Sequence, residues 1–219
     1  MAFTALGDSG ASMKILLVDD HELFRAGLRL LLLTIERHAL ILEASTIGEA
    51  LAAASAHSDL NLCLLDLGLK NERGLDALQQ IKAAAPDVAV VVVSALDEIA
   101  TVHRCIDAGA MSFVSKSASP QLLTKALRQV LRGNIHLPRE VFGNAQNHAA
   151  THPALTQRQL EVLREVSLGL PTKSISRKLN IAESTVNEHI SAIFQALGAH
   201  NRTQAVMTAG RMGLRFDGG

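Results

Sequence analysis

The 219-residue sequence predicts two fold classes in one chain: an α/β doubly wound five-stranded parallel sheet, then an all-α domain of four helices. Three observations predict this. Up to about residue 132, apolar runs of strand length alternate with helix-period segments, the pattern a parallel sheet covered on both faces requires. From about residue 154 the periodicity is purely helical. Between them, 133–153 is rich in Gly, Asn, His and Pro without a sustained period and reads as a linker.

Strands are expected near 14–18, 39–44, 60–65, 88–93 and 112–115, and helices near 21–33, 47–56, 74–84, 98–108 and 120–132. Gly109 suits a left-handed helix cap, and Pro120 is tolerated in a first helical turn. A short helical piece is expected around Arg139 to Phe142. In the second domain, spanning 154–215, Thr156-Gln157-Arg158-Gln159 is a capping box whose helix runs to Gly169. A short helix follows Pro171-Thr172. The next, Glu183 to Leu197, carries the apolar stripe Val186, Ile190, Ile193 and Leu197 and stops at Gly198. Asn201-Arg202-Thr203-Gln204 reads as another capping box opening the last helix.

Composition narrows the function classes. At 48% hydrophobic residues the chain can build real cores, and with neither Trp nor Tyr these are aliphatic. The longest apolar stretches, such as Val88 to Val93, fall far short of the roughly 18 residues that cross a bilayer, so no membrane association is expected. Residues 1–12 resemble no secretory signal and read as a disordered leader. Cys63 and Cys105 have no metal-ligand spacing and read as buried thiols of a cytoplasmic protein. Formal charge is balanced, but 13–133 carries net −2 while the chain from His152 carries net +3, a mild nucleic-acid signal.

The chemistry gathers at strand ends. Asp66 closes the apolar run 60–65, Asp19 and Asp20 close 14–18, and Lys116 follows 112–115. The carboxyl ends of parallel strands line one crevice, so these groups converge there. A buried carboxylate must be paired, coordinated or neutralised. Three acids and a lysine in one crevice suggest a divalent cation and a phosphoryl group. Taken singly, each has a plainer role: Asp19-Asp20 as a helix cap, Asp66 as a salt bridge to Lys116, Ser94 as a turn hydroxyl, Phe113 as core. Taken jointly, those plain readings require five coincidences.

The ordered set of motifs resembles the two-component response regulators of the NarL/FixJ class. In the first domain the resemblance rests on Val18-Asp19-Asp20-His21-Glu22-Leu23-Phe24-Arg25, on Leu64-Leu65-Asp66 with Gly74 eight residues on, on Ser94-Ala95, and on Ala108-Gly109-Ala110 leading to Phe113 and Lys116. In the second it rests on Leu155-Thr156-Gln157-Arg158-Gln159, Val162-Leu163, Gly169, Lys173, Ile175, Ser184-Thr185-Val186, His189, Leu197-Gly198 and Asn201-Arg202-Thr203-Gln204-Ala205. The resemblance implies a flavodoxin-like receiver domain at 13–132 and a LuxR-type helix-turn-helix domain at 154–215. It implies that Asp66 accepts a phosphoryl group from a sensor histidine kinase. Mg²⁺ would be held by Asp20, Asp66 and the Gly68 carbonyl, with Asp19 acting through water. Lys116 and Ser94 would contact the phosphoryl oxygens, and Phe113 would turn inward as the switch.

The helix Glu183–Leu197 would enter the major groove of double-stranded promoter DNA and present Ser184, Thr185, Asn187, Glu188 and Ser191. Lys173, Arg177, Lys178, Arg158 and Arg202 would meet phosphates, and the last helix would pair two subunits as a homodimer. The implied function is a phosphorylation-controlled transcriptional regulator, not an enzyme beyond its own phosphorylation and dephosphorylation. The alternative is a receiver-based protein-interaction module with weak or phosphorylation-independent DNA binding. A haloacid-dehalogenase-like phosphatase is disfavoured because Gly68 stands where a second acid belongs. An acyl-homoserine-lactone receptor is disfavoured by the absence of Trp and Tyr.

The sequence departs from the family pattern in four places. Lys70 and Ser117 stand where prolines are usual, and Asn187 and Ala196 where lysines are common. Gly68 and Leu96 flank the expected path of hydrolytic water, and neither can orient it. A long-lived phosphorylated state is therefore expected, and a half-life of seconds in the presence of Mg²⁺ would contradict it.

Overall fold

The computed structural model describes residues 12–70, 73–142, 155–212 and 214. The expected leader before residue 12 and the linker residues 143–153 lie outside the described residues. The receiver half is a five-fold β/α repeat: β1 (Lys14–Val18), α1 (Glu22–Ile35), β2 (Leu40–Ala44), α2 (Ile47–Ala56), β3 (Leu62–Leu65), α3 (Gly74–Ala84), β4 (Ala89–Ser94), α4 (Ile99–Asp107), β5 (Ser112–Ser115) and α5 (Pro120–Leu131). The strands form one parallel sheet in the order β2-β1-β3-β4-β5. Alternation along each strand divides two aliphatic cores. Ile15, Leu17, Leu62 and Val91 face α1 and α5, where Leu28, Leu32, Leu127 and Val130 cover them. Leu16, Val18, Leu65 and Val90 face α2, α3 and α4 through Ala50, Leu78, Ile81 and Ile106. Cys63 and Cys105 are free and buried in this second core, and burial pushes their thiols up to about 12 and about 11.

The start of α3 shows how tightly the sheet's upper edge is built. A Cβ on Gly74 would lie 2.5 Å from Leu67 Cα and from the Leu67 carbonyl oxygen. The helix can therefore start this close to the segment after Asp66 only at a glycine. Gly109 ends the α4 turn at φ +98, in the left-handed region glycine tolerates.

The segment after α5 differs from the expected free linker. Phe113 N–H donates to the His136 carbonyl at 2.9 Å, and His136 N–H donates to Ser112 Oγ at 3.0 Å, so the chain runs back beside β5. Leu137 and Val141 are buried in the α2–α4 core, and one turn of 3-10 helix occupies Arg139–Phe142, where a short helical piece was expected. Apolar side chains at 135, 137 and 141 give this stretch a core contact that its Gly, Asn and Pro content disguised.

The second half consists of α6 (Gln157–Ser167), α7 (Thr172–Leu179), α8 (Glu183–Leu197) and α9 (Arg202–Arg211). Val162, Leu163, Ile175, Val186, Ile193 and Ala205 form its core. The capping box at Thr156 and Gln159 is complete. The one expected at Asn201 is only half formed. Asn201 accepts from Gln204 N, but Gln204 Oε1 accepts from His200 N instead of the cap residue, and Gln204 Nε2 donates to Asp107 Oδ1 of α4 at 2.8 Å.

That bond belongs to a direct docking of α9 onto the receiver. Thr203 Oγ1 donates to the Met111 carbonyl at 2.9 Å, and Asn201 Nδ2 donates to the Ile106 carbonyl at 3.2 Å. Met207 is buried within the receiver core, beside Leu137 and Val141. On the other side of the junction, Gly169 (φ +73) packs so closely on the Gly133–Asn134 backbone that a Cβ would come within 2.3 Å of it. Among the described residues no helix is long and apolar enough to cross a membrane.

Replacing Gly74 by alanine should destabilise the receiver by about 1–3 kcal/mol, the usual cost of overpacking. This outweighs a helix-propensity gain of about 1 kcal/mol or less. Thermal unfolding of the variant decides the sign, and an unchanged or raised midpoint would contradict the close-packing account.

Candidate functional site

Ladder hydrogen bonds carry the strand ends into position. Asp19 N–H donates to the Ala44 carbonyl and Asp66 N–H to the Val18 carbonyl, so the acids ending β1 and β3 stand side by side. Lys116 N–H donates to the Ser94 carbonyl, which places the lysine at the adjoining strand end. Asp19 and Asp66 are both only 3% exposed, so their charges require partners. Lys116 supplies one to each: its Nζ lies 2.7 Å from Asp19 Oδ2 and 2.7 Å from Asp66 Oδ2. The ammonium also sits 4.4 Å from the centre of the Phe24 ring, whose face attracts cations.

Asp20 differs from the other two acids. Its side chain is 9% exposed and both carboxylate oxygens are enclosed without accepting a hydrogen bond. Its nearest basic neighbours are His21 Nδ1, 2.9 Å from Oδ1 but not aligned to donate, and Lys70 Nζ, 3.8 Å from Oδ2. A buried carboxylate with unsatisfied oxygens fits a site for a cation with oxygen ligands. Asp19, Asp20, His21 and Asp66 can all offer one ligand atom to a shared ion. Gly68 lies against the Asp66 carboxylate, where a Cβ would stand 3.3 Å from Oδ2.

Ser94 is buried, and its Oγ accepts from Leu96 N at 3.2 Å, leaving its proton free to donate elsewhere. Ser117 gives the missing proline a structural meaning. Its N–H donates to Ser115 Oγ, a bond proline cannot make, and both hydroxyls donate to Asp97 Oδ2, at 2.9 Å from Ser117 and 2.5 Å from Ser115. These bonds hold the Asp97 carboxyl below the usual range and tie the loop after β4 to the loop after β5.

Phe113 is fully enclosed in the core that contains Leu137, Val141 and Met207.

The helix-turn-helix residues divide into two groups. Ser184, Asn187, Glu188 and Ser191 are exposed on α8 and Thr185 is half-buried, while Lys173 and Arg177 are exposed on α7. The other cations expected on phosphates have internal work. Lys178 pairs with the buried Glu165 at 2.7 Å. Arg158 pairs with Glu161 and donates to the Leu179 carbonyl. Arg202 is largely buried and donates to the Leu170 carbonyl and Thr172 Oγ1, tying α9 to the turn between α6 and α7, and desolvation pushes its pKa down. Three cations that read as a basic surface thus stitch the small domain together. The α9 surface expected to pair subunits is likewise occupied by the chain's own receiver, with Thr203 and Met207 buried.

Sequence reasoning gave no role to His21, Arg25 or Asp97. Arg25 donates to the Asp19 carbonyl and to Glu43 Oε2, bracing the acid pair from the first turn of α1. The available signal was position: His21 directly follows the acids, and Arg25 lies one helical turn further on the same face.

Comparison with known proteins agrees with this geometry. Residues 15–128 match the response regulator receiver domain family, and 153–209 match the bacterial regulatory proteins of the luxR family. The chain is similar to the glycerol metabolism activator of Pseudomonas putida, 37% identical over 209 residues that cover 90% of this chain and 95% of the relative. It is also similar to the nitrate/nitrite response regulator protein NarP of Escherichia coli K12, 32% identical over 89% of this chain and 93% of that one. Among solved structures, a LuxR family DNA-binding response regulator from Silicibacter pomeroyi is 36% identical with a TM-score of 0.51, covering 58% of this chain and 98% of that chain. With a receiver sheet ending in buried acids and a helix-turn-helix domain docked beside it, the chain belongs to the LuxR-type response regulators, which regulate transcription under the control of phosphorylation.

Proposed function

We propose that Asp66 is the phosphoacceptor and that its phosphorylation releases the docked helix-turn-helix domain to dimerise and bind promoter DNA. The observation that carries this reading is that the α9 face docks on the receiver beside the strand, β5, that leads to Lys116. In the transfer from a sensor kinase, an Asp66 oxygen forms an O–P bond as the N–P bond of a phosphohistidine breaks, and the departing imidazole nitrogen takes the electron pair and then a proton. Mg²⁺ held by Asp20, Asp66 and the Gly68 carbonyl, with Asp19 acting through water, would offset the repulsion between the incoming phosphoryl oxygens and the carboxylates. Lys116 gives up part of its hold on Asp66 to meet a phosphoryl oxygen, and Ser94 donates its free proton to another. The same chemistry run with water reverses the modification, and beyond this the chain is not an enzyme.

The docked arrangement is unsuited to DNA. A cleft of about 440 Å³ between the domains is walled by Asn187, Ile190 and Phe194 of α8 on one side and by Lys82, Asp87 and Met111 of the receiver on the other. A major groove about 12 Å wide and 8.5 Å deep must receive the whole helix between two phosphate walls. Across the cleft from Asn187, the receiver would compete for space with one of those walls. Release would free α8 for base contacts through Ser184, Thr185, Asn187, Glu188 and Ser191, with Lys173 and Arg177 on phosphates. Lys178 and Arg202 would reach phosphates only by giving up internal bonds.

Two measurements test this reading. Acetyl phosphate with Mg²⁺ should convert the wild type to a dimer that retains genomic DNA fragments, while Asp66→Asn stays monomeric and unretained; retention absent in both states would overturn the transcription-factor role. Joining Asp107→Cys to Gln204→Cys with a short bismaleimide should abolish phosphorylation-dependent DNA retention while leaving phosphoryl uptake intact, and undiminished retention by the cross-linked protein would overturn release.

A further inference from the structure

Where the sheet ends, one carboxylate joins the two loops that carry Ser94 and Lys116. Lys116 N–H donates to the Ser94 carbonyl at 2.9 Å, and among the described residues no later backbone bond joins the chain after β4 to the chain after β5. Asp97 makes the next connection with its side chain. Its Oδ2 accepts from Ser115 Oγ at 2.5 Å and from Ser117 Oγ at 2.9 Å, and Ser117 N–H donates to Ser115 Oγ at 3.1 Å. These two serines flank Lys116 in the chain. Both hydroxyls turn to Asp97, while the lysine between them runs to Asp19 and Asp66. On the other side, Ser94 Oγ accepts from Leu96 N–H at 3.2 Å, immediately before Asp97. Ser94 and Lys116 therefore lie in a ring of chain, closed at one end by a backbone hydrogen bond and at the other by the Asp97 carboxylate.

The closure is chemically specific. A hydroxyl donating to an ionised carboxylate makes a stronger bond than one donating to a neutral acceptor. The two serines hold the Asp97 carboxyl below the usual range, so it is an acceptor at neutral pH. Asp97 is exposed, and hydrogen bonds that water can replace add little to folding stability. Their consequence lies in geometry. Lys116 is a flexible stem with a compact charge, and in the resting pocket two carboxylates fix its Nζ. When it shares that charge with a phosphoryl oxygen, the hold is divided, and the backbone from which the stem springs sets where the ammonium reaches. Ser94 must meet the same phosphoryl group from the neighbouring strand. A misplacement of about 1 Å in such a pair can cost about 10²-fold in rate.

We propose that Asp97 is a positioning residue for phosphoryl transfer: with Ser115 and Ser117 it latches the loop after β4 to the loop after β5, and so holds Ser94 and Lys116 in register on one phosphoryl group. The inference rests on the phosphoacceptor role proposed above for Asp66. Asp97 acts through the two backbones it joins, and both serines belong to the same device.

Phosphoryl uptake from acetyl phosphate by the full-length protein, measured over a range of Mg²⁺ concentrations, tests this. Asp97→Ala should lower the rate at saturating Mg²⁺ about five-fold or more. The half-saturating Mg²⁺ concentration should move by less than about two-fold, because the acids stand on β1 and β3, which the latch does not touch. Asp97→Asn keeps an oxygen acceptor for the hydroxyls and should recover most of the loss. Ser117→Ala removes one of the two hydroxyls and should fall between wild type and Asp97→Ala. Combined with Asp97→Ala it should add little further loss, since both changes break one latch. Rates in Asp97→Ala and Ser117→Ala equal to wild type overturn the latch, as does an Asp97→Asn rate as low as that of Asp97→Ala. A slower Asp97→Ala with an equal rise in half-saturating Mg²⁺ also overturns it, because that marks general loosening of the pocket. Uptake that survives in Asp66→Asn overturns the phosphoacceptor reading beneath it, so the two failures are told apart.

Discussion

Lys116 standing 2.7 Å from both Asp19 and Asp66 is the contact on which the rest of the molecule turns. Two carboxylates nearly sealed from water at adjacent strand ends repel each other, and a charge so buried needs a partner of opposite sign. The lysine makes a double-anion crevice tolerable, and it arrives there because β5 pairs with β4 and its backbone bonds to the Ser94 carbonyl. The third acid, Asp20, has no comparable internal cation. His21 and Lys70 approach it from the solvent side, and its oxygens stay unsatisfied. One lysine charge is thus shared by two buried carboxylates with a third beside them, and the pocket favours more positive charge.

β5 also connects this charge balance to the output domain. Within a few residues of Lys116, the Met111 carbonyl accepts from Thr203 and Phe113 N–H bonds to His136 in the returning segment. The strand that leads to Lys116 is thus the one beside which α9 is docked. The docking includes three side-chain hydrogen bonds, the burial of Met207 and the close packing of Gly169 on the Gly133–Asn134 backbone. Such bonds contribute about 0.5–1.5 kcal/mol each, and burying a methionine about 1.5–3 kcal/mol. These favourable terms are offset by the entropy of ordering two domains.

The small domain uses its charges economically. Arg158, Lys178 and Arg202 satisfy backbone carbonyls or a buried glutamate, whereas Lys173 and Arg177 are exposed on α7.

The sequence alone determined the repeat of strands and helices, the strand-end position of Asp19, Asp20, Asp66 and Lys116, and the four helices of the second domain. These follow from local periodicity and from the rule that parallel strand ends share a crevice. The tertiary structure alone decided which cations have internal partners, that Ile135, Leu137 and Val141 pack into the receiver core, that Phe113 is covered, that α9 lies on the receiver, and that His21 turns back over the acids. Each of these depends on contacts between residues far apart in the chain, or on a side-chain direction that no period encodes. Arg202 bonding Leu170 and Thr203 bonding Met111 come from the meeting of separate surfaces, and a pattern read along one strand or helix carries no record of the surface it will meet.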